Sequence, residues 1–199
     1  MAAACSSGPP PPDTRPYEQQ VLEWRQSKDE AFRSTRDDGI SPIPLAQRAS
    51  FQGLNYFPID PAYHVPAYLT LEAVNPPVIV ELQTIGTERD RYRKVGTLGF
   101  SLNGSSYKLT AFGLETGSLS QLFVPFGDLT NGEATYRGGR FLELDQTATG
   151  LYDLDFNRAY NPFCVFNVSY ICPVPPRENR LAIQIRAGEK LPLDYAHRP

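Results

Sequence analysis

The chain has 199 residues, 41% of them hydrophobic, and a formal net charge of −3, which suits one domain with a hydrophobic core. Its 19 lysines and arginines are scattered along the sequence, so no basic patch indicates binding to nucleic acid or to an anionic membrane surface. No apolar run approaches the roughly 20 residues of a membrane-spanning helix, and we expect a folded part that does not cross a membrane.

The first residues resemble the cleavage box and tether of a bacterial lipoprotein. Three alanines precede Cys5, and a Ser/Gly/Pro segment follows it over residues 6–12. A cysteine thiol in this setting takes a lipid, and the proline-rich segment acts as a spacer. Alanine at position −3 and the lack of an upstream apolar segment depart from the pattern. The sequence predicts a disordered tether over residues 1–13, lipidation at Cys5 as the only membrane attachment, and a place in the cell envelope; the alternative is a cytoplasmic protein.

The segment from Pro16 to about Thr35 predicts one amphipathic helix. Apolar residues recur there near helical spacing, at Tyr17, Val21, Trp24, Ala31 and Phe32. The apolar stripe is narrow, so we expect the helix to pack across a sheet or barrel. Residues 40–68, rich in proline and aromatic residues, predict an ordered wrap with aromatic anchors and at most one short strand.

Six apolar or alternating runs then predict a β meander, followed by a last strand. The runs are residues 69–74, 78–84, 95–102, 107–114, 119–126 and 134–144, and the last strand is 181–186. Asn103-Gly104 predicts a two-residue hairpin turn, since both residues tolerate the positive φ that such a turn needs. Short connections imply antiparallel pairing. We therefore predict a single, mainly β domain over residues 14–199, an antiparallel meander that closes into a barrel or two-sheet roll with one N-terminal amphipathic helix.

Cys164 and Cys172 are eight positions apart, each beside a proline-containing turn. In an envelope protein they predict a disulfide that closes a short loop. In a reducing compartment they would be free thiols or two metal ligands, although the chain lacks the second pair that a zinc site needs. The sequence also carries no nucleophile elbow, Walker loop, zinc-protease motif or dinucleotide fingerprint, so we expect no metal and no cofactor.

Polar residues cluster most densely in two blocks toward the C-terminus. The candidate ligand-binding residues there are Arg140, Asp155, Asn157, Tyr160, Asn161, Glu178, Asn179 and Arg180. Because such groups are costly to bury unpaired, they either satisfy one another as structural residues or converge on a ligand.

The same blocks carry a family resemblance that extends over nearly the whole chain from the helix onward. The matching residues are Trp24-Arg25, Lys28-Asp29, Tyr56-Phe57, the turn with Phe126, Asp128 and Thr130, Gly138-Gly139-Arg140, Asp155-Phe156-Asn157, Asn161-Pro162 with Cys164, Cys172-Pro173 and Glu178-Asn179-Arg180. This pattern resembles the uncharacterised family catalogued as domain of unknown function 1684. The resemblance implies an exported protein but no activity, substrate or catalytic residue.

Three functions fit the sequence. The first is a binding or structural lipoprotein that recognises a small molecule, a glycan or a protein. The alternative is an envelope hydrolase with Asp155 or Glu178 as general base and Arg140 as an anion clamp. A flavin-binding barrel is a third hypothesis, which rests on architecture alone. A common pocket lined by Arg140, Asp155, Tyr160 and Glu178 would favour a ligand or substrate site there.

Overall fold

The computed structural model describes residues 13–36, 41–72, 78–84, 89–114, 121–145, 147, 149–193 and 195. The tether up to residue 12, with Cys5, lies outside these residues, as do the ends of two predicted strands at 73–74 and 119–120. The described helices and strands are α1 (Tyr17–Arg33), α2 (Leu45–Arg48), β1 (His64–Leu71), β2 (Ile79–Gln83), β3 (Arg89–Leu102), β4 (Ser105–Leu114), β5 (Gln121–Phe126), β6 (Arg140–Asp145) and β7 (Leu151–Asp155).

All these strands belong to one antiparallel sheet in the order β6-β5-β4-β3-β1-β7, and β2 pairs with β3 outside this path. The 14-residue β3 pairs with β2 through its first half and with β1 through its second half. The chain just after β7 then bonds to β6. Phe141 N–H donates to the Tyr160 oxygen (2.9 Å), and Tyr160 N–H donates to the Phe141 oxygen (3.0 Å). The sheet is therefore nearly closed into a barrel, which confirms the predicted fold class.

The predicted hairpin joins β3 to β4. Asn103 and Gly104 have φ angles of 51° and 76°, and Leu102 is paired with Ser105, so the turn has two residues. This register places Leu98 on β3 opposite Leu109 on β4, and both side chains are fully buried. The alternation seen in the sequence is therefore the inward face of the barrel.

Apolar side chains fill the barrel. The rings of Phe100 and Phe126 both contact Phe156, with centroid distances of 5.6 and 5.3 Å. Leucines from five strands surround them, namely Leu98, Leu109, Leu122, Leu142 and Leu154. Each fully buried side chain of this size stabilises the fold by about 1.5–3 kcal/mol. The interior of the barrel is therefore filled by packed apolar side chains.

Helix α1 forms where predicted, with Val21 and Phe32 buried. Phe32 lies in a second apolar cluster with Ile43, Tyr136, Val165 and Phe166. The helix therefore packs on the outside of the barrel. No helix in the described part of the chain is long and apolar enough to cross a membrane.

Three features of the strand prediction are wrong. The strand predicted over residues 134–144 begins only at Arg140, and residues 134–139 contain turns. Residues 181–186 do alternate in burial, but they form an extended segment whose hydrogen bonds go to a loop, for example from Leu181 N–H to the Gly127 oxygen (2.8 Å). Conversely, β7 was not predicted, because two of its five residues, Asp153 and Asp155, are of a type that is depleted in strands. Tyr152 and Leu154 of β7 point into the core and account for the strand.

Candidate functional site

Arg140, the predicted anion clamp, is fully buried at the start of β6. Its guanidinium donates to Oδ2 of Asp128 (2.9 Å) and to the backbone oxygens of Ile185 (2.8 Å), Ala187 and Glu189 (3.2 Å). These bonds tie the C-terminal segment to the barrel. Since no part of Arg140 reaches the surface, its predicted role as an anion clamp is corrected to a structural one.

Asp155 and Asn157 attach helix α1 to the end of β7. The Tyr17 hydroxyl donates to Oδ1 of Asp155 (2.7 Å), and Asn157 Nδ2 donates to the Tyr17 oxygen (2.9 Å). Asn157 also exchanges hydrogen bonds with the backbone of Asp60, at 2.8 and 3.0 Å. Both predicted site residues are therefore occupied by contacts within the fold.

The two other predicted asparagines are also buried and structural. Asn179 accepts from Thr110 N–H (2.7 Å) and donates to the backbone oxygens of Thr110 (2.9 Å) and Pro125 (2.7 Å). Asn161 receives its fixed position from Glu189, whose Oε2 accepts from the Asn161 N–H (2.8 Å). The Asn179 side chain thus ties its turn to β4 and β5, whereas Asn161 is held through its backbone N–H.

Glu178 and Arg180 are exposed at a turn of 3-10 helix and do not join the other candidates. Arg180 bridges to Gly127 through its backbone only. The pocket expected from Arg140, Asp155, Tyr160 and Glu178 is therefore not formed. Of the eight predicted candidates, Tyr160 alone lines the large aromatic cavity described below.

Cys164 and Cys172 lie side by side, and the structure shows no disulfide bond between them. The backbone N–H of Cys164 donates to Sγ of Cys172 (3.1 Å). A side-chain hydrogen bond with Cys172 and burial raise the pKa of the Cys164 thiol. The predicted disulfide is therefore not supported by the structure. The sequence spacing brings the two residues together, but it does not fix the oxidation state.

A cavity of about 470 Å³ lies beside these cysteines, on the outer face of the sheet. Its lining includes six aromatic side chains, which are Tyr92, Phe123, Phe141, Tyr160, Phe163 and Tyr170. Glu143, Gln121, Ile171 and Cys172 also contribute. The volume lies within the range of about 300–1,000 Å³ that is usual for small-molecule sites.

Strand register explains why these side chains meet. On β5, Leu122 and Val124 point into the core, so Phe123 points outward. Phe123 is paired with Glu143 on β6, and its ring stacks on Tyr92 of β3 at 5.3 Å and meets Phe141 edge-on at 4.9 Å. Three strands thus supply the floor of the cavity.

The segment after β7 supplies the opposite wall. Tyr160 is fixed by its backbone bonds to Phe141, and Phe163 contacts Tyr170 edge-on at 5.4 Å. The loop between Cys164 and Cys172 returns the chain to the cavity at Tyr170. The cavity is therefore lined by strands on one side and by the loop between Cys164 and Cys172 on the other.

Glu143 is the one carboxylate among the described lining residues. The Tyr160 hydroxyl donates to its Oε1 (2.8 Å). Burial and the nearby Glu143 raise the pKa of Tyr160, so the phenol stays protonated and keeps this bond at ordinary pH. Tyr160 consequently orients the carboxylate at the cavity wall.

A buried ion pair between Lys28 and Glu189 lies against the Tyr160 ring. Lys28 Nζ of helix α1 lies 2.5 Å from Oε1 of Glu189 and 4.4 Å from the centroid of the Tyr160 ring. The Glu189 side chain is fully buried, and that of Lys28 is 16% exposed. Lys28 is thus neutralised by Glu189 and covers one face of the Tyr160 ring.

The sequence analysis did not identify most of the cavity residues as candidate site residues. The available signal was an aromatic residue at an outward position of a strand, as at Phe123 between Leu122 and Val124. Without the register, nothing in the sequence places Phe123 beside Glu143 or below Tyr170. Among the described residues, no group of three or more histidine, cysteine, aspartate or glutamate side chains is placed to hold a metal ion.

Comparison with known proteins gives a family and a related structure. The sequence model of the family described as "Protein of unknown function (DUF1684)" matches residues 49–190. The solution NMR structure of an uncharacterised protein from Haloarcula marismortui is similar, with a TM-score of 0.68 and 40% sequence identity. The match covers 89% of this chain and 96% of the other. No curated protein matches the sequence.

Proposed function

Since the chain belongs to the DUF1684 family of proteins of unknown function, we propose a function from the cavity itself: the protein binds a small molecule between the sheet and the loop that follows Tyr160. The observation that carries the proposal is a cavity of about 470 Å³ lined by six aromatic side chains. Apolar surface that folding leaves uncovered in a concave site is typical of ligand binding.

The character of the walls supports binding over catalysis. Asp155 and Arg140, the groups on which a hydrolase would depend, are held by Tyr17, Asn157 and Asp128 and lie away from this cavity. Tyr160 and Glu143 are bonded to each other. A rigid, mostly apolar site with few polar groups recognises shape and charge.

We place this binding function in the cell envelope, with the chain tethered by a lipid on Cys5. The support is the sequence around Cys5, where small residues precede the cysteine and a proline-rich spacer follows it. On this proposal the ligand is met outside the cytoplasm.

Binding in the cavity is tested with four probes that represent different chemistries: indole, choline, methyl β-glucoside and phenyl phosphate. Saturation-transfer NMR is expected to show saturable binding of at least one. Tyr170→Ala removes a lining ring that is 37% exposed, and we expect the dissociation constant of that probe to rise roughly two- to twelvefold, the effect of one aromatic contact.

Tyr68→Ala is the matched control, because Tyr68 is a 67% exposed tyrosine on β1 that does not line the cavity. It should leave the dissociation constant unchanged. No saturable binding of any of the four probes, or equal effects of the two variants, would overturn the proposal.

The envelope location is tested by mass spectrometry of the protein isolated from its own cells. We expect the peptide that begins at Cys5 to carry the mass of a diacylglycerol group. A Cys5→Ser variant should lose both this mass and membrane association. An unmodified Cys5 in the native protein would contradict the location.

A further inference from the structure

The charged groups of the described cavity lining are all negative. Among the described lining residues, Glu143 contributes a carboxylate, and no lysine, arginine or histidine is present. Lys28, the nearest cation to Tyr160 in the ring contacts, is paired with Glu189. The negative charge of Glu143 is therefore not cancelled by the wall of the cavity.

Aromatic rings add to this negative character. The face of each ring carries partial negative charge and attracts cations, with the strongest effect where water is displaced. An anion would find no positive partner among the described lining residues. A sugar requires several donors and acceptors, whereas the apolar side chains here outnumber the polar ones.

The aromatic lining and its single carboxylate also indicate which kind of cation would bind. A metal ion or a primary ammonium group is strongly hydrated and needs several oxygen ligands to replace its water. An alkylated ammonium group is bulkier, has few N–H donors and is bound by aromatic cages. From this we infer that the ligand of the cavity is a small organic cation with an alkylated ammonium group, paired with Glu143, an inference that rests on the function proposed above.

The geometry of Glu143 suits this role. Tyr160 holds Oε1 through its hydroxyl (2.8 Å), and Oε2 accepts no hydrogen bond from any residue that the structure describes. The side chain is exposed, so a ligand reaches it without breaking a contact of the fold.

The test compares choline with 3,3-dimethylbutan-1-ol, which has the same shape but a carbon in place of the charged nitrogen. Titration calorimetry is expected to give choline a dissociation constant about tenfold lower than that of the neutral alcohol. Glu143→Gln keeps an oxygen for the Tyr160 hydroxyl and removes the charge. It should weaken choline binding about threefold to fivefold and leave the alcohol unaffected.

Asp145→Asn is the matched control. Asp145 is exposed on the same strand but does not line the cavity, so its neutralisation tests the effect of net charge alone. If Asp145→Asn weakens choline binding as much as Glu143→Gln, or if the alcohol binds as well as choline, the cation inference is wrong. Saturable binding of the alcohol would still support the proposed binding function, whereas failure of both compounds and of the other probes would refute both proposals.

A lipid head group is a second source of the same cation. We expect a free small molecule, because the phosphate beside a choline head group would meet no positive side chain among the described lining residues. Phosphatidylcholine vesicles mixed with a lipid-free form of the full chain should leave the protein in the supernatant on sedimentation. Sedimentation with the vesicles that free choline reverses would assign the ligand to the head group.

Discussion

Replacing Arg140 with methionine is expected to lower the free energy of unfolding by about 3–5 kcal/mol, as measured by urea denaturation. The fully buried guanidinium pairs with Asp128, whose side chain is also fully buried. Methionine fills a similar volume but leaves the carboxylate without a counter-charge and the oxygens of Ile185 and Ala187 without a donor. An uncompensated buried charge is among the most destabilising changes that one substitution makes.

Arg180→Met is the matched control, since Arg180 is exposed and none of its side-chain contacts is an ion pair within the described residues. Its cost should be about 0.5 kcal/mol or less. Arg140→Lys should give an intermediate loss, because lysine keeps the charge but lacks the planar fork that reaches several oxygens. Equal losses in Arg140→Met and Arg180→Met would show that the buried network is not what holds this end of the barrel.

Replacing Lys28 with methionine should destabilise the fold by about 3 kcal/mol, because Glu189 then remains buried without its cation. The Asn161 N–H would still donate to Glu189 (2.8 Å), but one hydrogen bond does not offset the loss of the ion pair. Adding Glu189→Gln to this variant removes the stranded charge. The double variant is therefore expected to be more stable than Lys28→Met alone.

A double-mutant cycle by urea denaturation measures this coupling. Four proteins are needed, namely the natural chain, each single variant and the double variant. The expected sign is a double-variant cost below the sum of the two single costs. Simple additivity would mean that Lys28 and Glu189 act independently, and that helix α1 is held by its other contacts, among them those of Tyr17, Arg25 and Asp29.

The fold was predictable where local chemistry and tertiary structure agree. The Asn103-Gly104 turn, the alternating residues around it and the amphipathic helix all form as the sequence indicates. The prediction failed for residues 181–186, where apolar and polar residues alternate but the backbone hydrogen bonds go to a loop and not to a strand. Residues 181–186 bury alternate side chains against the barrel end but bond to a loop, while β7 forms despite two aspartates because Tyr152 and Leu154 have a core to enter.

The candidate site was less predictable than the fold. Polar clustering drew attention to Arg140, Asn157 and Asn179 as candidate ligand-binding residues. In the structure many of their partners are backbone atoms far away in sequence. A sequence does not show whether the partner of a buried polar side chain is a ligand or a backbone carbonyl group. The cavity depends on side chains such as Phe123, whose outward position becomes meaningful only when β3, β5 and β6 are aligned.

The filled interior of the barrel has a consequence for how such proteins diverge. Substitution of core residues such as Leu98, Leu109 and Phe156 would destabilise the fold, because their side chains fill the barrel. The cavity shares none of these side chains, and much of its outer wall is a short loop between Cys164 and Cys172. On the proposed binding function, a substitution at Tyr170 or Ile171 would change the lining of the cavity with little cost to folding.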